Sequence, residues 1–449
     1  MSEQIAYYPQ SAYLESCKIN LASGQQFDLK NMIVELSYFE DIFSFCTSGY
    51  IMIRDGLGLI EAFKLSGKEE IEIQFGKTAN EYDKIGPIKY LIYKIGDRKP
   101  TGNMNSEFYK LYFCTKDLFS NETMKVSKSH KGEKIDKIVH GILTEKLKTE
   151  RKWSIEKTTG YYDFIIPTLR PFEAISWLSN YARPEASGKS GVIAVDMFLF
   201  ENRYGYNFRS LSSMMKEKPY NVYKYQQNNL DPDVERLDME NDSVIAIDFV
   251  KSFDTLKSVS QGSFANKIVA VDPITKSYTV KEHNYLKYIN EIDPVNGYNV
   301  LPNIKNAEGK LPHETSDSFY KVVLSNSGEK NANYFKDTGG QGVAQDVYMQ
   351  ECLSARTAQV ALANYTVLKI VVPGDINLTA GKTIDLSYYS LRLNSTDTRD
   401  LDEFYSGRYL ITAARHILQS TGVYQTILEI TKSSTLAPNS AINEIKTHK

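Results

Sequence analysis

The stretch Lys68-Glu69-Glu70-Ile71-Glu72-Ile73-Gln74-Phe75 indicates the fold most clearly. Ile71, Ile73 and Phe75 alternate with polar residues, which is the pattern of a half-buried β-strand. Similar runs predict strands over most of residues 1–118, with one helix at 58–65. We therefore expect 1–118 to form a small antiparallel barrel or sandwich. The other strands predicted in this part are Ala12–Leu21, Phe27–Tyr38, Gly49–Asp55, Ile88–Ile95 and Glu107–Lys116.

The hydrophobic period changes after residue 118. Apolar residues from Ile135 to Leu143 follow the i, i+3, i+4, i+7 spacing of an amphipathic helix, which we expect to extend to Leu147. A second helix is predicted to begin at Pro171, because proline is favoured in the first turn. Two strands follow, Val192–Glu201 and Tyr204–Arg209, joined by a turn at Asn202-Arg203. Residues 119–213 are therefore predicted to form a separate α+β domain.

The rest of the chain again shows mainly strand patterns. We predict a second β-domain from 214–272 and 342–432, an inserted domain at 273–341, and a flexible polar tail at 433–449. The fold class expected for the whole chain is α+β, predominantly antiparallel β. The strands predicted in the second β-domain are Val244–Val250, Phe264–Asp272, Thr366–Val372, Lys382–Tyr388, Arg408–Ile417 and Val423–Ile430, with a helix at Val347–Ala363.

Two segments of the chain resemble each other, which indicates an internal repeat. Tyr38–Cys46 and Ser252–Ser260 both carry an aromatic residue, an acidic residue and then apolar residues three apart, and both precede a glycine and a predicted strand. Each segment either covers its own β-domain or projects as an apolar hairpin onto a neighbouring subunit. On the second interpretation, the candidate subunit-interface residues are Phe39, Ile42, Phe45, Phe253, Leu256 and Val259.

The composition excludes several classes of protein. The 449 residues contain 53 Lys and Arg and 55 Asp and Glu, a formal net charge of −2, which argues against a dedicated nucleic-acid or polybasic membrane-surface protein. No apolar run approaches the roughly 20 residues of a membrane span, and the first residues lack the pattern of a signal peptide. The 31 tyrosines suit strands and protein–protein contacts. The four cysteines are expected to be buried free thiols.

No catalytic, cofactor or metal site is predicted. Gly188-Lys189-Ser190 and Gly381-Lys382-Thr383 resemble part of a phosphate-binding loop, but a strand pattern follows each, whereas that loop must open a helix. The acidic run from Asp231 to Asp242 has Arg236 where a calcium loop needs glycine. The six histidines are scattered. A pair of carboxylates brought together by folding leaves one alternative open, a cell-wall-degrading or glycan-binding protein.

The sequence resembles the baseplate hub proteins of contractile-tailed bacteriophages, of the T-even type, and more distantly the base of type VI secretion spikes. The resemblance rests on the order and spacing of several stretches between about 120 and 430. These stretches are Val126–Gly132, Ile165–Ile175, Phe200–Phe208, Gly262–Lys267, Val271–Lys276, Val372–Asp375, Leu378–Lys382 and Gly407–Thr412.

The resemblance implies a non-enzymatic structural protein with two tail-tube-like β-domains and two smaller domains. Three copies would then place six tube-like domains around a channel through which DNA passes without being read, so that a three-fold spike meets a six-fold tube. The implied partners are two further copies of the chain, a central spike protein, tail-tube or tube-initiator proteins and a tape-measure protein. The implied location is the tail baseplate of a virion, assembled in the host cytoplasm without membrane insertion.

Overall fold

A computed structural model describes residues 13–21, 24–76, 84–102, 106–185, 196–225, 242–273, 276–285, 296, 298–299, 302–324, 349–393 and 399–436. Strands dominate, and most of their pairings are antiparallel. This confirms the predicted fold class. The acidic run up to residue 241, the Gly188-Lys189-Ser190 motif and the tail from 437 lie outside the described residues.

The first β-domain follows the predicted order of elements, with one correction. The predicted strand at 27–38 is two strands, because a 3-10 turn at Lys30–Met32 interrupts it. Ile71, Ile73 and Phe75 are all buried, as their alternation predicted. The elements are β1 (Tyr13–Asn20), β2 (Gln26–Asp28), β3 (Ile33–Asp41), β4 (Ser48–Asp55), α1 (Leu59–Phe63), β5 (Glu70–Gly76), β6 (Lys84–Pro100) and β7 (Glu107–Cys114).

The second part of the chain contains short strands and helices around its own core. The predicted apolar stripe from Ile135 to Leu143 is buried, but the α-helix ends at Gly141 and continues as a π-helical turn to Lys146. The predicted turn at Asn202-Arg203 lies one residue later. The elements are α2 (Lys116–Thr123), β8 (Ser129–Glu133), α3 (Ile135–Gly141), β9 (Trp153–Ile155), β10 (Thr158–Thr159), β11 (Tyr162–Ile165), α4 (Pro171–Ser179), β12 (Arg183–Pro184), β13 (Met197–Asn202), β14 (Gly205–Ser210) and α5 (Leu211–Met215).

The third part contains the remaining strands. Ser434–Thr435 pairs with Tyr298–Asn299, so the first residues of the predicted flexible tail are ordered by backbone hydrogen bonds. The elements are β15 (Val222–Tyr225), β16 (Ala246–Lys251), α6 (Thr255–Ser260), β17 (Ala265–Asp272), β18 (Ser277–Asn284), β19 (Tyr298–Asn299), β20 (Tyr320–Leu324), α7 (Met349–Ala363), β21 (Thr366–Pro373), β22 (Thr383–Leu393), β23 (Arg399–Leu401), β24 (Gly407–Gln419), β25 (Tyr424–Lys432) and β26 (Ser434–Thr435).

One 14-stranded sheet contains two copies of the same six-strand arrangement. In the first copy the strands lie in the order β3-β4-β7-β6-β5-β1, and in the second in the order β16-β21-β25-β24-β22-β15. The order along the chain matches as well: the first strand of each copy in the chain, β1 or β15, takes the same place in the sheet, and so do the other five. One pairing differs, because β15 is parallel to β22 while β1 is antiparallel to β5. The two copies are called module 1 and module 2 below.

The register of the strands supports the same equivalence. Leu91 of β6 pairs with Glu70 on one edge and Cys114 on the other, and Leu410 of β24 pairs with Thr383 and Thr431. Both strands carry a β-bulge immediately afterwards, between Ile92 and Lys94 and between Ile411 and Ala413. The sequences there are Lys89-Tyr90-Leu91-Ile92 and Arg408-Tyr409-Leu410-Ile411.

This equivalence corrects the alignment of the two similar segments. The sequence comparison matches β4 with β17, whereas the structure places β21 at the position of β4. β17 instead joins β18 and β20 in a separate three-stranded sheet, which packs against α7. The boundary predicted after Asp272 therefore lies between β17 and β18, which pair with each other in one sheet. In module 1 the short turn 42–47 connects β3 to β4. In module 2 the much longer segment 252–365 makes the equivalent connection, from β16 to β21.

Candidate subunit-contact surfaces

A seam of seven residue pairs between β24 and β3 joins the two modules. β24 and β3 are antiparallel, with register from Ala413–Asp41 to Gln419–Glu35. The Arg415 guanidinium lies over the Phe39 ring, 5.4 Å from its centroid, and donates hydrogen bonds to Ser37, Tyr50 and Glu35. Backbone pairing therefore makes modules 1 and 2 one continuous sheet.

Glu40 connects three parts of the chain at this seam. Its side chain is 2% exposed. One carboxylate oxygen accepts hydrogen bonds from the Arg203 backbone N–H (2.6 Å) and the Tyr38 hydroxyl (3.2 Å), and the other accepts from the Ala380 N–H (3.0 Å). Burial raises the pKa of Glu40 to about 7, although these hydrogen bonds favour the ionised form. The carboxylate thus connects module 1 to the β13–β14 hairpin and to module 2.

We expect Glu40 to make stability depend on pH. Its folded-state pKa of about 7 lies above its ordinary value of 4.5, so the folded chain binds this proton more tightly. The free energy of unfolding should therefore fall as pH rises from about 5 to about 7.5, by roughly 2–3 kcal/mol from this group. Urea unfolding at several pH values should show this slope in the parent and a shallower one in Glu40→Gln.

The same change at exposed Glu61 controls for the loss of one negative charge. Other buried carboxyls whose pKa is raised, such as Asp196, are present in every variant and cancel in the comparison. Equal slopes in the parent and in Glu40→Gln would contradict the assignment.

Glu201 is a second buried carboxylate that connects different parts of the chain. It is 1% exposed and bonds to the Arg151 Nε (2.5 Å), the Thr47 N–H (2.9 Å) and the Thr115 hydroxyl (2.5 Å). Burial raises the pKa of this carboxyl, while Arg151 and the hydrogen bonds oppose the rise. The contacts fix the β13–β14 hairpin against the β4 and β7 strand ends of module 1.

The first three candidate interface residues have partners within the chain. Phe39 packs against the Arg415 guanidinium and the Tyr50 ring. Ile42 is fully buried beneath α5 and α7. Phe45 stacks on Phe172, with ring centroids 5.3 Å apart. These residues therefore connect module 1 to other parts of the same chain instead of covering only their own β-domain, and their assignment to a subunit interface stays a prediction.

The second three lie at the surface instead. Phe253 is 64% exposed and Leu256 is 85% exposed, whereas Val259 is half-buried. They follow β16 and continue onto α6, whose N-terminus is capped by the Asp254 carboxylate accepting from the Lys257 N–H. The structure therefore separates the two sets that sequence similarity grouped together.

Among the strand edges that have no partner in the described residues are one in module 1, on β6, and one in module 2, on β16. On the edge of β6 that faces β5, pairing stops at Leu91, so 93–100 has β7 on one side only. β16 pairs only with β21 and exposes Phe249 and Val250. Unpaired edges are sites for strand addition by another chain.

A third exposed surface is one face of the three-stranded sheet β18-β17-β20. Its opposite face packs against α7, while this face presents large apolar side chains to solvent. The exposed residues are Tyr278, Val280, Tyr320, Val322 and Leu324.

The described ranges include several residues that the sequence presented as parts of candidate chemical motifs. These ranges contain no group of three His, Cys, Asp or Glu side chains arranged to hold a metal ion. Gly381, with φ +89°, forms a turn before β22, as predicted. His416 bonds to the Tyr424 hydroxyl (2.9 Å), and burial lowers its pKa to about 3. No helix in the described part of the chain has the length and apolar character of a membrane span.

Sequence reasoning missed the burial of Glu40 and Glu201. Glu40 belongs to the repeated segment as its acidic residue but was given no role, and nothing in the sequence around Glu201 distinguishes it among the 55 acidic residues of the chain. It also missed the Tyr-Leu-Ile repeat of β6 and β24, although the identical tripeptides at 90–92 and 409–411 are visible in the sequence.

The chain is similar to known phage tail proteins. The probable baseplate hub protein of Vibrio phage KVP40 is 20% identical over 416 residues, which cover 91% of each chain. The tail protein from Neisseria meningitidis MC58 superposes with a TM-score of 0.52 at 9% identity, covering 94% of this chain and 99% of its own. The 43 kDa tail protein of prophage MuSo2 from Shewanella oneidensis gives 0.53 at 7% identity, covering 93% and 98%. No protein-family model matches the chain. These similarities confirm the resemblance to baseplate hub proteins, and the solved structures share the fold.

Proposed function

We propose that this chain is a non-enzymatic baseplate hub subunit of a contractile phage tail, and that three copies form a pseudo-six-fold ring. The ring joins a central spike to the tail tube and surrounds the channel for DNA. The protein acts in the tail baseplate of the virion, after assembly in the host cytoplasm. The similarity to a probable baseplate hub protein supports the location of this function.

The observation that carries the proposal is the duplication of the six-strand module. Each chain contributes two modules with the same strand order, so three chains contribute six quasi-equivalent positions. A trimer can then present three-fold symmetry to a spike and near six-fold symmetry to a tube. A chain with a single module could not match both.

The rigid connection between the modules supports a ring of fixed geometry. The β24–β3 seam is continuous backbone pairing, and Glu40 ties it to the β13–β14 hairpin. Such a connection holds the two modules at one angle, which a closed ring requires at every position.

The remaining surfaces suit the implied partners. The apolar face of the β18-β17-β20 sheet lies in the segment 252–365, which module 1 lacks, so it breaks the six-fold pattern once per subunit. A surface present three times per ring fits a three-fold partner, and we assign it to the spike. The surfaces that both modules share fit the tail-tube or tube-initiator ring, with the tape-measure protein on the axis.

The oligomeric state tests the proposal. We expect purified full-length chain, alone at high concentration or with its spike protein, to give a mass of three times 51.0 kDa plus that of any bound spike. Sedimentation equilibrium and electron microscopy of the same sample should show a ring with three-fold symmetry. A chain that remains monomeric under both conditions would overturn the proposal.

A further inference from the structure

We propose that the free edge of β6 in one subunit pairs antiparallel with β16 of the neighbouring subunit, in the register of the β24–β3 seam. This inference rests on the proposed trimeric ring and identifies the contact that closes it. The occupant of each free edge is therefore a second copy of this chain.

β6 in module 1 and β24 in module 2 occupy equivalent positions. Leu91 and Leu410 are the residues paired on both edges, and each is followed by a bulge one residue later. Beyond its bulge, β24 pairs with β25 on one side and with β3 on the other. β6 continues in the same way beside β7, but its other side has no partner within the described ranges.

β3 in module 1 and β16 in module 2 also occupy equivalent positions. Ile51 of β4 pairs with Leu36, and Ile370 of β21, at the matching position, pairs with Ile247. Likewise Ser48 pairs with Phe39, and Val367 pairs with Lys251. The second side of β3 is occupied by β24, whereas the second side of β16 has no partner in the part of the chain that is described.

The β24–β3 register within one chain predicts the β6–β16 register between two chains. Arg415 of β24 and Gly96 of β6 are equivalent, because each lies two residues after the end of its bulge. Since Arg415 pairs with Phe39, and Lys251 is equivalent to Phe39, Gly96 should stand opposite Lys251 of the neighbouring chain. Ile417 and Lys99 are also equivalent, because their partners Gln425 of β25 and Phe108 of β7 occupy the same position in the two modules. Since Ile417 pairs with Ser37, and Asp248 is equivalent to Ser37, Lys99 should stand opposite Asp248.

The two predicted pairs are consistent with one continuous ladder. From Gly96 to Lys99, β6 has one more residue than β24 has from Arg415 to Ile417. Over the matching stretch, β16 likewise has one more residue than β3. The extra residues compensate, and Lys94–Pro100 runs against Ile247–Phe253 as an antiparallel ladder without a gap.

The side chains of this ladder are complementary. Lys99 and Asp248 are exposed, carry opposite charges and stand directly opposite each other, which favours pairing. At the other end Lys94 stands opposite Phe253, beside the exposed Tyr93 ring. The contact would therefore cover Phe253, one of the exposed apolar residues that the sequence singled out.

The contact is heterologous, because each subunit supplies one β6 edge and one β16 edge. If the contact between subunits has the same geometry as the β24–β3 seam, six equal contacts between neighbouring modules complete the ring. Three of these contacts lie within a chain and three lie between chains, so a closed ring contains three copies.

Paired cysteines test the register. We would introduce Lys94→Cys with Phe253→Cys, and Lys99→Cys with Asp248→Cys, and compare them with the mismatched pairs Lys94→Cys with Asp248→Cys and Lys99→Cys with Phe253→Cys. All four residues are exposed in the single chain. Cys17, Cys46 and Cys114 are buried, and Cys352 would be replaced by serine in every variant.

We expect mild oxidation to link both matched pairs into species of two and three chains and no larger, and the mismatched pairs to stay at the background level of the single variants. Sedimentation of each unoxidised variant separates this inference from the proposed function. A trimer in which the matched pairs link no better than the mismatched ones overturns the register and leaves the hub proposal standing. A monomer that forms no link overturns both.

Discussion

Replacing Glu201 by alanine should lower the free energy of unfolding by about 3–5 kcal/mol. The change removes the carboxylate that compensates Arg151 in the interior, leaves the Thr47 N–H without its acceptor and takes away the nearest acceptor of the Thr115 hydroxyl. A buried charge that loses its partner costs more than the pair contributes, because its desolvation is no longer offset. Urea unfolding followed by circular dichroism measures the loss.

A more exposed ion pair provides the matched control. Arg98 Nε lies 2.6 Å from Glu107, close to the distance of the buried pair, but the Arg98 side chain is 49% exposed and that of Glu107 is 18% exposed. Glu107→Ala should therefore cost less than about 1 kcal/mol. In addition, Glu201→Leu combined with Arg151→Met should recover much of the loss, because no unpaired charge remains. Equal losses in Glu201→Ala and Glu107→Ala would refute the role of burial.

Gly49→Ala should destabilise the chain by about 3 kcal/mol through overpacking. A Cβ atom at this position of β4 would lie 2.3 Å from the Ser37 carbonyl oxygen and 2.4 Å from the Phe113 ring. The oxygen belongs to the paired strand β3, so relief requires the two strands to separate. Thermal or urea unfolding would measure the effect.

Gly141→Ala is the control for the same chemical change. Gly141 has a helical φ of −61°, and a Cβ atom there would meet nothing within 4 Å. Alanine should leave stability unchanged or raise it by up to about 1 kcal/mol, because it is the better helix former. A Gly49→Ala protein as stable as Gly141→Ala would show that the strands adjust freely.

The hydrophobic pattern was a good guide to individual elements. The alternation at Ile71, Ile73 and Phe75 and the stripe from Ile135 to Leu143 both lie buried where predicted, because side-chain periodicity reflects local geometry. The sequence misled where an element was assigned to a larger unit. β17 looks like any other alternating strand, yet it pairs outside the large sheet.

The candidate interface residues show the same division. A repeat of aromatic and apolar residues every three positions identified Phe39 and Phe253 together, but it carries no information on burial within the chain. The fold covers Phe39 with Arg415 and leaves Phe253 64% exposed. The decisive difference is the β24–β3 seam, which occupies the edge of β3 and has no counterpart at β16 within the described residues.

The sequence by itself determined the strand-rich character, the near-neutral charge and the resemblance to baseplate hub proteins, since composition, periodicity and the order of stretches are properties of the chain. Only the tertiary structure decided which strands are neighbours, that modules 1 and 2 share one strand order, and where Glu40 and Glu201 are buried. The physical reason is that backbone hydrogen bonds are the same for every residue type and do not encode their partner. Strand order and the burial of a carboxylate follow from the packing of segments far apart in the chain.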